Sequence, residues 1–143
     1  MRRVVGQAEY EALGEIRYRI RQFVVFSEAK AREVGLEPQQ HQLLLAIRGL
    51  PAGTRPTIRC IAERLQIQHN SAVELVRRSV ANGLVVKRAS RRDRREVELR
   101  VAPKGRRLLE RLTIAHATEL RSLTPVLVSA LGALSDDTPT RSA

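Results

Sequence analysis

The sequence predicts a mainly α-helical fold that carries one small β-hairpin. Three observations lead there. Apolar residues recur at three- and four-residue spacing along most of the chain, the signature of helices with one buried face. Two short segments of this kind, near residues 57–65 and 69–81, are separated only by a tight turn. One stretch, SRRDRREVELRV from Ser90 to Val101, breaks the pattern: a cluster of arginines around one aspartate gives way to strict polar–apolar alternation from Glu96.

Each element follows in order. Leu13, Ile16, Ile20, Phe23 and Val24 fall on one face of a helix over residues 8–34, with Glu15, Arg17, Arg19, Arg21 and Glu28 elsewhere on it. Gly35 offers a left-handed stop. A helix this long reaches roughly 40 Å, more than a partner from so small a chain can cover, so a second subunit is expected. Pro38 opens a second helix, 38–48, closed by Gly49 to Pro51. Residues 51–56 read as a loop. Thr57 is a suitable N-cap for a third helix with Ile58, Ile61, Ala62 and Leu65 on its apolar side. Gln66 and Ile67 form the turn, and a fourth helix runs from His69 to Ala81 with Ala72, Leu75, Val76, Ser79 and Val80 as its buried stripe. Asn82-Gly83 ends it. Leu84 to Val86 read as a strand, Lys87 to Arg95 as a charged connection, and Val97, Leu99 and Val101 as one apolar face of a second strand. Pro103 starts a further helix with Leu108, Leu109, Leu112 and Ala115 inward. Pro125, with Thr124 as its cap, is expected to break or kink it, leaving a last helix over 125–134.

Composition narrows the function. The 143 residues suit one domain, and with two Phe, two Tyr and no Trp the core must be aliphatic. Lys plus Arg exceeds Asp plus Glu by 26 to 15, a net charge of +11 carried almost wholly by arginine. An excess of that size points to an anionic polymer or surface as partner. The single cysteine, Cys60, excludes an internal disulfide and suits a reducing compartment; a buried, inert thiol is expected. No apolar run approaches a membrane span, and MRRVVGQAEYEALGE lacks the apolar core of a secretory signal, so the expected location is cytoplasmic, with no membrane partner. His41, His69 and His116 form no metal-ligand spacing with one another or with Cys60. No nucleophile triad, phosphate loop or paired-carboxylate motif stands out, so neither an enzyme nor a cofactor is expected.

Three segments carry a family resemblance: IAERLQIQHNSAVELVRRSVANGLV, DRREVELRV and APKGRRLL. In this order and spacing the chain resembles the MarR family of winged helix-turn-helix transcription regulators. It departs from the family pattern at Gln66, Gln68, Glu74 and Ala102. The resemblance implies a winged helix-turn-helix lobe over 38–102, flanked by dimerisation helices over 1–37 and 103–134, with 135–143 a disordered tail. It also implies a homodimer on double-stranded DNA, with Arg95 of the wing in the minor groove and Asp93 holding its guanidinium in a fixed fork. Arg91, Arg92 and Arg94 would then meet phosphates. The fourth helix would enter the major groove with Gln68, His69, Asn70, Ser71, Val73, Glu74 and Arg77 outward. Of these, Asn70 and Gln68 suit adenine, Arg77 guanine or phosphate, and Glu74 the cytosine amine. Arg55 and Thr57 stand where the DNA backbone would pass a helix N-terminus. Relatives bind small aromatic or phenolic anions, for which Arg17, Tyr18, Arg21 and His41 are the candidate contacts here. The expected function is a dimeric, sequence-specific repressor of a pseudo-palindromic operator, released by a small ligand. The alternatives are a non-specific nucleic-acid-coating protein and a protein-interaction module that has lost DNA binding.

Overall fold

A computed structural model describes residues 2–93 and 95–135. The elements are α1 (Gln7–Glu33), α2 (Pro38–Arg48), α3 (Ile58–Leu65), α4 (His69–Ala81), β1 (Val85–Ala89), β2 (Val97–Val101) and α5 (Pro103–Ser135). The fold is mainly helical with one antiparallel hairpin, as the sequence predicts. Packing divides the chain into two compact units. One comprises the chain up to Ser27 and from Ala115 onward; the other is Glu28–Ile114. The division falls inside α1 and inside α5, whereas the expected boundaries follow element ends.

The second unit holds an aliphatic core. Leu43, Leu44, Ile61, Leu75, Val76, Leu84 and Val85 are almost fully buried, together with Leu99, Val101, Leu109 and Leu112. Each such side chain removed from water stabilises by about 1.5–3 kcal/mol. The helix ends are set by local chemistry. At Gly35 (φ 81°) the Leu36 amide bonds to the Ala31 carbonyl at 2.9 Å and the Gly35 amide to Arg32 at 3.0 Å, the paired bonds of a left-handed stop. Gly83 closes α4 in the same manner. Gln66 performs this task after α3 without being glycine (φ 55°), and its side-chain amide returns to the Glu63 carbonyl at 2.8 Å, offsetting part of the strain. Thr57 caps α3 by accepting the Cys60 amide at 3.1 Å.

Polar contacts tie α2 to α4. Gln40, buried, donates to Asn82 Oδ1 at 2.9 Å, and Arg78 donates to Glu37 at 3.2 Å. Asn82 is fixed again by Lys104 Nζ on its carbonyl at 3.0 Å. Gly105 explains the Pro-x-Gly start of α5. A Cβ there would lie 2.5 Å from the Leu84 carbonyl oxygen, 3.1 Å from Val101 Cγ1 and 3.2 Å from Leu44 Cδ2. Only a residue without a side chain lets α5 approach the hairpin base so closely.

Several expectations are corrected. Strand β1 runs on to Ala89, into the segment expected to be a charged connection, because Lys87, Arg88 and Ala89 pair with Leu99, Glu98 and Val97. Val97 and Val80 are 39% and 38% exposed, since both lie beyond the edge of the core. Pro125 does not end a helix. α5 passes through it to Ser135, so the expected separate helix over 125–134 is part of α5. Proline removes one backbone bond, and buried Leu123 and Ala130 on either side of it anchor the helix; Thr124 bonds back to the Leu120 carbonyl at 2.9 Å instead of capping a new start. The rest of the expected tail, 136–143, lies outside the described residues. On α1 the fully buried residue near the start is Ala12; Leu13, Ile20 and Val24 are 52%, 48% and 44% exposed.

The first unit packs around His116. Its ring meets Phe23 edge-on (centroids 5.7 Å apart, 84°) and Phe26 (5.5 Å, 70°), and its Nε2 lies 2.8 Å from Ser27 Oγ.

The Gly105 contact gives a test. Gly105→Ala should destabilise the protein by about 1–3 kcal/mol, because the Leu84 carbonyl is backbone and cannot swing aside. Thermal unfolding followed by circular dichroism should show a midpoint several degrees lower; a superimposable curve would remove this contact as a constraint.

Candidate nucleic-acid interface

The tip of the hairpin is organised by its own polar atoms. Ser90, nearly buried, accepts from the Arg92 amide at 3.2 Å and from the Asp93 amide at 3.4 Å. Its own amide bonds to the Glu96 carbonyl at 2.9 Å. Asp93 Oδ1 accepts the Arg95 backbone amide at 3.0 Å, and its carbonyl accepts the Glu96 amide at 3.1 Å. Asp93 therefore does not hold the Arg95 guanidinium, as the sequence suggested. An aspartate two residues before an amide closes an Asx turn on it, the shorter reach. Arg91, Arg92 and Arg95 are exposed on this braced loop; Arg94 lies outside the described residues.

Arg55 ties the tip to the helices. Its Nη2 donates to Ser90 Oγ at 2.6 Å and pairs with Glu96 at 2.6 Å, while its Nε donates to Glu98 at 3.1 Å. The Glu98 hydrogen bond, with the charges of Glu96 and Glu98 behind it, raises the Arg55 pKa above its ordinary value despite the opposing effect of desolvation. The backbone repeats the connection: the Leu99 amide bonds to the Pro56 carbonyl at 2.8 Å, and Thr57 bridges Glu98. Residues 56–57 thus cover the edge of β2 opposite β1. Arg55, expected to face a DNA backbone, acts as a strut within the protein through these bonds, and the Thr57 hydroxyl caps α3.

On α4 the structure exposes all the expected outward residues: Gln68, His69, Asn70, Ser71, Val73, Glu74 and Arg77. The opposite stripe of Ala72, Leu75, Val76 and Ser79 is buried. Glu74 and Arg77 engage each other in a fork, with three N–O distances of 2.9–3.2 Å. Hydrogen bonding to Arg77, then its charge, lowers the Glu74 pKa, and the same bonds raise that of Arg77. The pair stays ionised at neutral pH, and its two charges cancel at a distance.

The residues considered for a small ligand fall within two units. Tyr18 and Arg21 line a depression of about 680 Å³ between α1 and α5, walled also by Phe26 and Leu123. Arg17 is exposed outside it, and His41 is buried on α2 in the other unit. Cys60 is half-buried rather than buried. Among the described residues no three His, Cys, Asp or Glu side chains gather as for a metal ion, and no helix is long and apolar enough to cross a membrane.

Sequence reasoning missed Ser90, Glu96 and Glu98 as the bracing set. A serine placed immediately before a turn was a readable signal; the pairing of Arg55 with residues some forty positions away was not. It also missed Arg88 and Arg100. The register pairs Val86 with Arg100 and Arg88 with Glu98 on the face of the hairpin opposite buried Val85, Leu99 and Val101. Period-two alternation carries that signal, but the charge density of Lys87–Arg95 masks it.

Comparison with known proteins agrees with this geometry. Residues 34–96 match the model of the MarR family. No curated protein matches the chain. Among solved structures, the fold is similar to a MarR family protein from Bacillus stearothermophilus (TM-score 0.70, 17% identity, 84% of this chain and 82% of that one). It is similar to AbsC, a MarR family transcriptional regulator from Streptomyces coelicolor (0.67, 16%, 85% and 81%). It is also similar to MepR of S. aureus in its DNA complex (0.64, 18%, 77% and 80%).

If Arg55 braces the hairpin, Arg55→Ala should free the tip without unfolding α3 or α4. Hydrogen exchange should then quicken by at least tenfold at the Arg92, Arg95 and Glu96 amides and remain unchanged in the helices. Equal protection in both proteins would assign the bracing to the backbone bonds alone.

Proposed function

We propose, from the match of residues 34–96 to the MarR family and the winged-helix fold, that the chain is a MarR-family protein and a dimeric, sequence-specific DNA-binding transcription regulator acting as a repressor. The observation that carries this reading is the braced cationic wing beside a helix with a fully exposed polar face. In the proposed complex α4 lies in the major groove and the wing tip reaches the adjacent minor groove, where Arg95 meets the narrow, electronegative floor. Arg91, Arg92 and Arg94 meet the flanking phosphates, and Asn70 and Gln68 read base edges. MepR was solved with DNA bound, which supports the same partner here.

The division of charge assigns the roles. Arginines of the wing have long-range attraction for any duplex, and with it a salt-dependent affinity. Glu74 cancels Arg77 on α4, so selectivity there rests on neutral Gln68, Asn70 and Ser71, and on whether a cytosine amine draws Glu74 away from Arg77. That same pair also favours the second reading, a non-specific coating protein, because a helix with little net charge and few strong readers discriminates weakly.

The dimer is proposed from the first unit. Val25, Val128 and Leu131 are 69%, 61% and 54% exposed on α1 and α5, apolar surface that a second copy would cover. Two-fold pairing would set two α4 helices about one DNA turn apart, so the operator is expected to be a pseudo-palindrome. Relief of repression by a small aromatic or phenolic anion is the mode of action that the family resemblance implies.

Fluorescence anisotropy with DNA from upstream of the protein's own gene, against a shuffled duplex at about 0.15 M salt, separates the two readings. Autoregulated repression predicts a preference of roughly a hundredfold, within the span of specific over non-specific binding. Equal affinities that vanish together as salt rises support coating. On the preferred duplex Arg95→Ala should lose about 1–3 kcal/mol, tenfold or more in affinity; no loss would remove the wing from the interface. Light scattering coupled to gel filtration should give twice the 16.1 kDa chain mass, and a monomer mass would overturn the dimer.

A further inference from the structure

On the outer face of the hairpin lies a groove of about 910 Å³, bounded by the 53–56 loop, the two strands, the end of α2 and the first turn of α5. Seven arginines line it against a single carboxylate, Glu98, a formal excess of six positive charges. Arg55 is already answered by Glu96 and Glu98. Arg48, Arg88, Arg100 and Arg106 have no acidic partner among the described residues and converge from four different elements. Like charges gathered in a concave site repel one another and focus a strong positive potential. Burying or pairing them would be the ordinary remedy, and the fold does neither.

We propose that this groove binds a compact oligophosphate, held by Arg48, Arg88, Arg100 and Arg106. The size lies within the range of about 300–1,000 Å³ typical of small-ligand sites. The charge argues against a monoanion, which would leave most of the excess unanswered. A chain of two or three phosphoryl groups supplies three to four negative charges and many acceptor oxygens in the planar geometry that guanidinium forks match. Ile47 and Pro56 add apolar wall where a planar ring can lie, so a nucleoside triphosphate and an inorganic polyphosphate are the two sources of the same chemistry. The upper end of the groove is formed by Arg91 and Arg92. Under the proposed DNA-binding function, which this clause alone rests on, a bound oligophosphate competes for these arginines and weakens the hold of the wing.

The test is calorimetric titration of the whole protein with inorganic tripolyphosphate, ATP and orthophosphate in turn, without DNA. Tripolyphosphate should bind at least tenfold more tightly than orthophosphate. The double variant R100A/R106A, both positions exposed, should lose at least tenfold while melting as the parent does; Arg95→Ala, outside the groove, should lose nothing. ATP binding more tightly than tripolyphosphate supports a nucleotide site, and equal binding supports a site for the phosphate chain alone. Absence of tripolyphosphate binding at millimolar concentration, or unchanged affinity in R100A/R106A, overturns the proposal. DNA binding of R100A/R106A is measured separately: a loss matching that for tripolyphosphate overturns the small-ligand site in favour of a track for the DNA backbone. If the parent binds tripolyphosphate as expected and no DNA, the groove stands and the regulator reading falls.

Discussion

The wing depends on one guanidinium. Arg55 sits before α3, yet it is bonded to the last residue before the tip, Ser90, and to two carboxylates of the returning strand, Glu96 and Glu98. A two-stranded hairpin is marginally stable by itself. Here only its base is buried, through Val85, Leu99 and Val101, and from Lys87 outward β1 is exposed. What holds the outer half is therefore polar: the Arg55 fork, the Ser90 hydroxyl and the Asp93 turn. Such a set fixes direction better than it adds stability, because partly exposed ion pairs are individually weak. It also explains why two glutamates are tolerated beside so many arginines. They neutralise the arginine that must stay put and leave the tip cations to solvent.

The same division shows which parts of the structure were legible in the sequence. Helix limits were, because each is written in residues that have a single local meaning: Pro38 at a first turn, Thr57 as a cap, Gly35 and Gly83 at left-handed stops. The α4 surface was legible because a 3.6-residue period leaves a definite outward face. Asp93 and Arg95 were legible as a pair but not in the atoms that join them, since backbone and side-chain donors on one residue cannot be told apart by spacing. Arg55 was named for a different task, because its partners are distant in sequence. The continuous α5 was misread for a more general reason: proline lowers helix propensity locally, while Leu123 and Ala130 hold the helix through packing that sequence does not display.

Close packing at the hairpin base joins these levels. The Leu84 carbonyl accepts the Ala102 amide at 2.9 Å, and Gly105 rests against that same oxygen. α5 therefore begins where the hairpin ends, and its first turn carries Arg106 beside the strands. An arginine-lined groove follows from this geometry. Arg88 and Arg100 stand on the outer face by register, Arg48 ends α2, and the glycine contact brings Arg106 alongside. None of these residues is needed for the core, which lies on the other face.

The first unit poses the opposite problem. Charge is not in excess there; apolar surface is. Among the described residues its buried side chains are few, Ala12, Ala130 and Leu123, with His116 between two phenylalanines, while Leu13, Val25, Val128 and Leu131 are more than half exposed. Two helices in contact bury only one stripe each, and these helices have apolar residues on a second. A charged partner would leave that second stripe wet. In the proposed dimer a second copy would supply two such helices with the same stripe, and two-fold symmetry makes any surface that complements itself sufficient. The unit with the fewer buried side chains among the described residues is thus the one through which the proposed dimer would form.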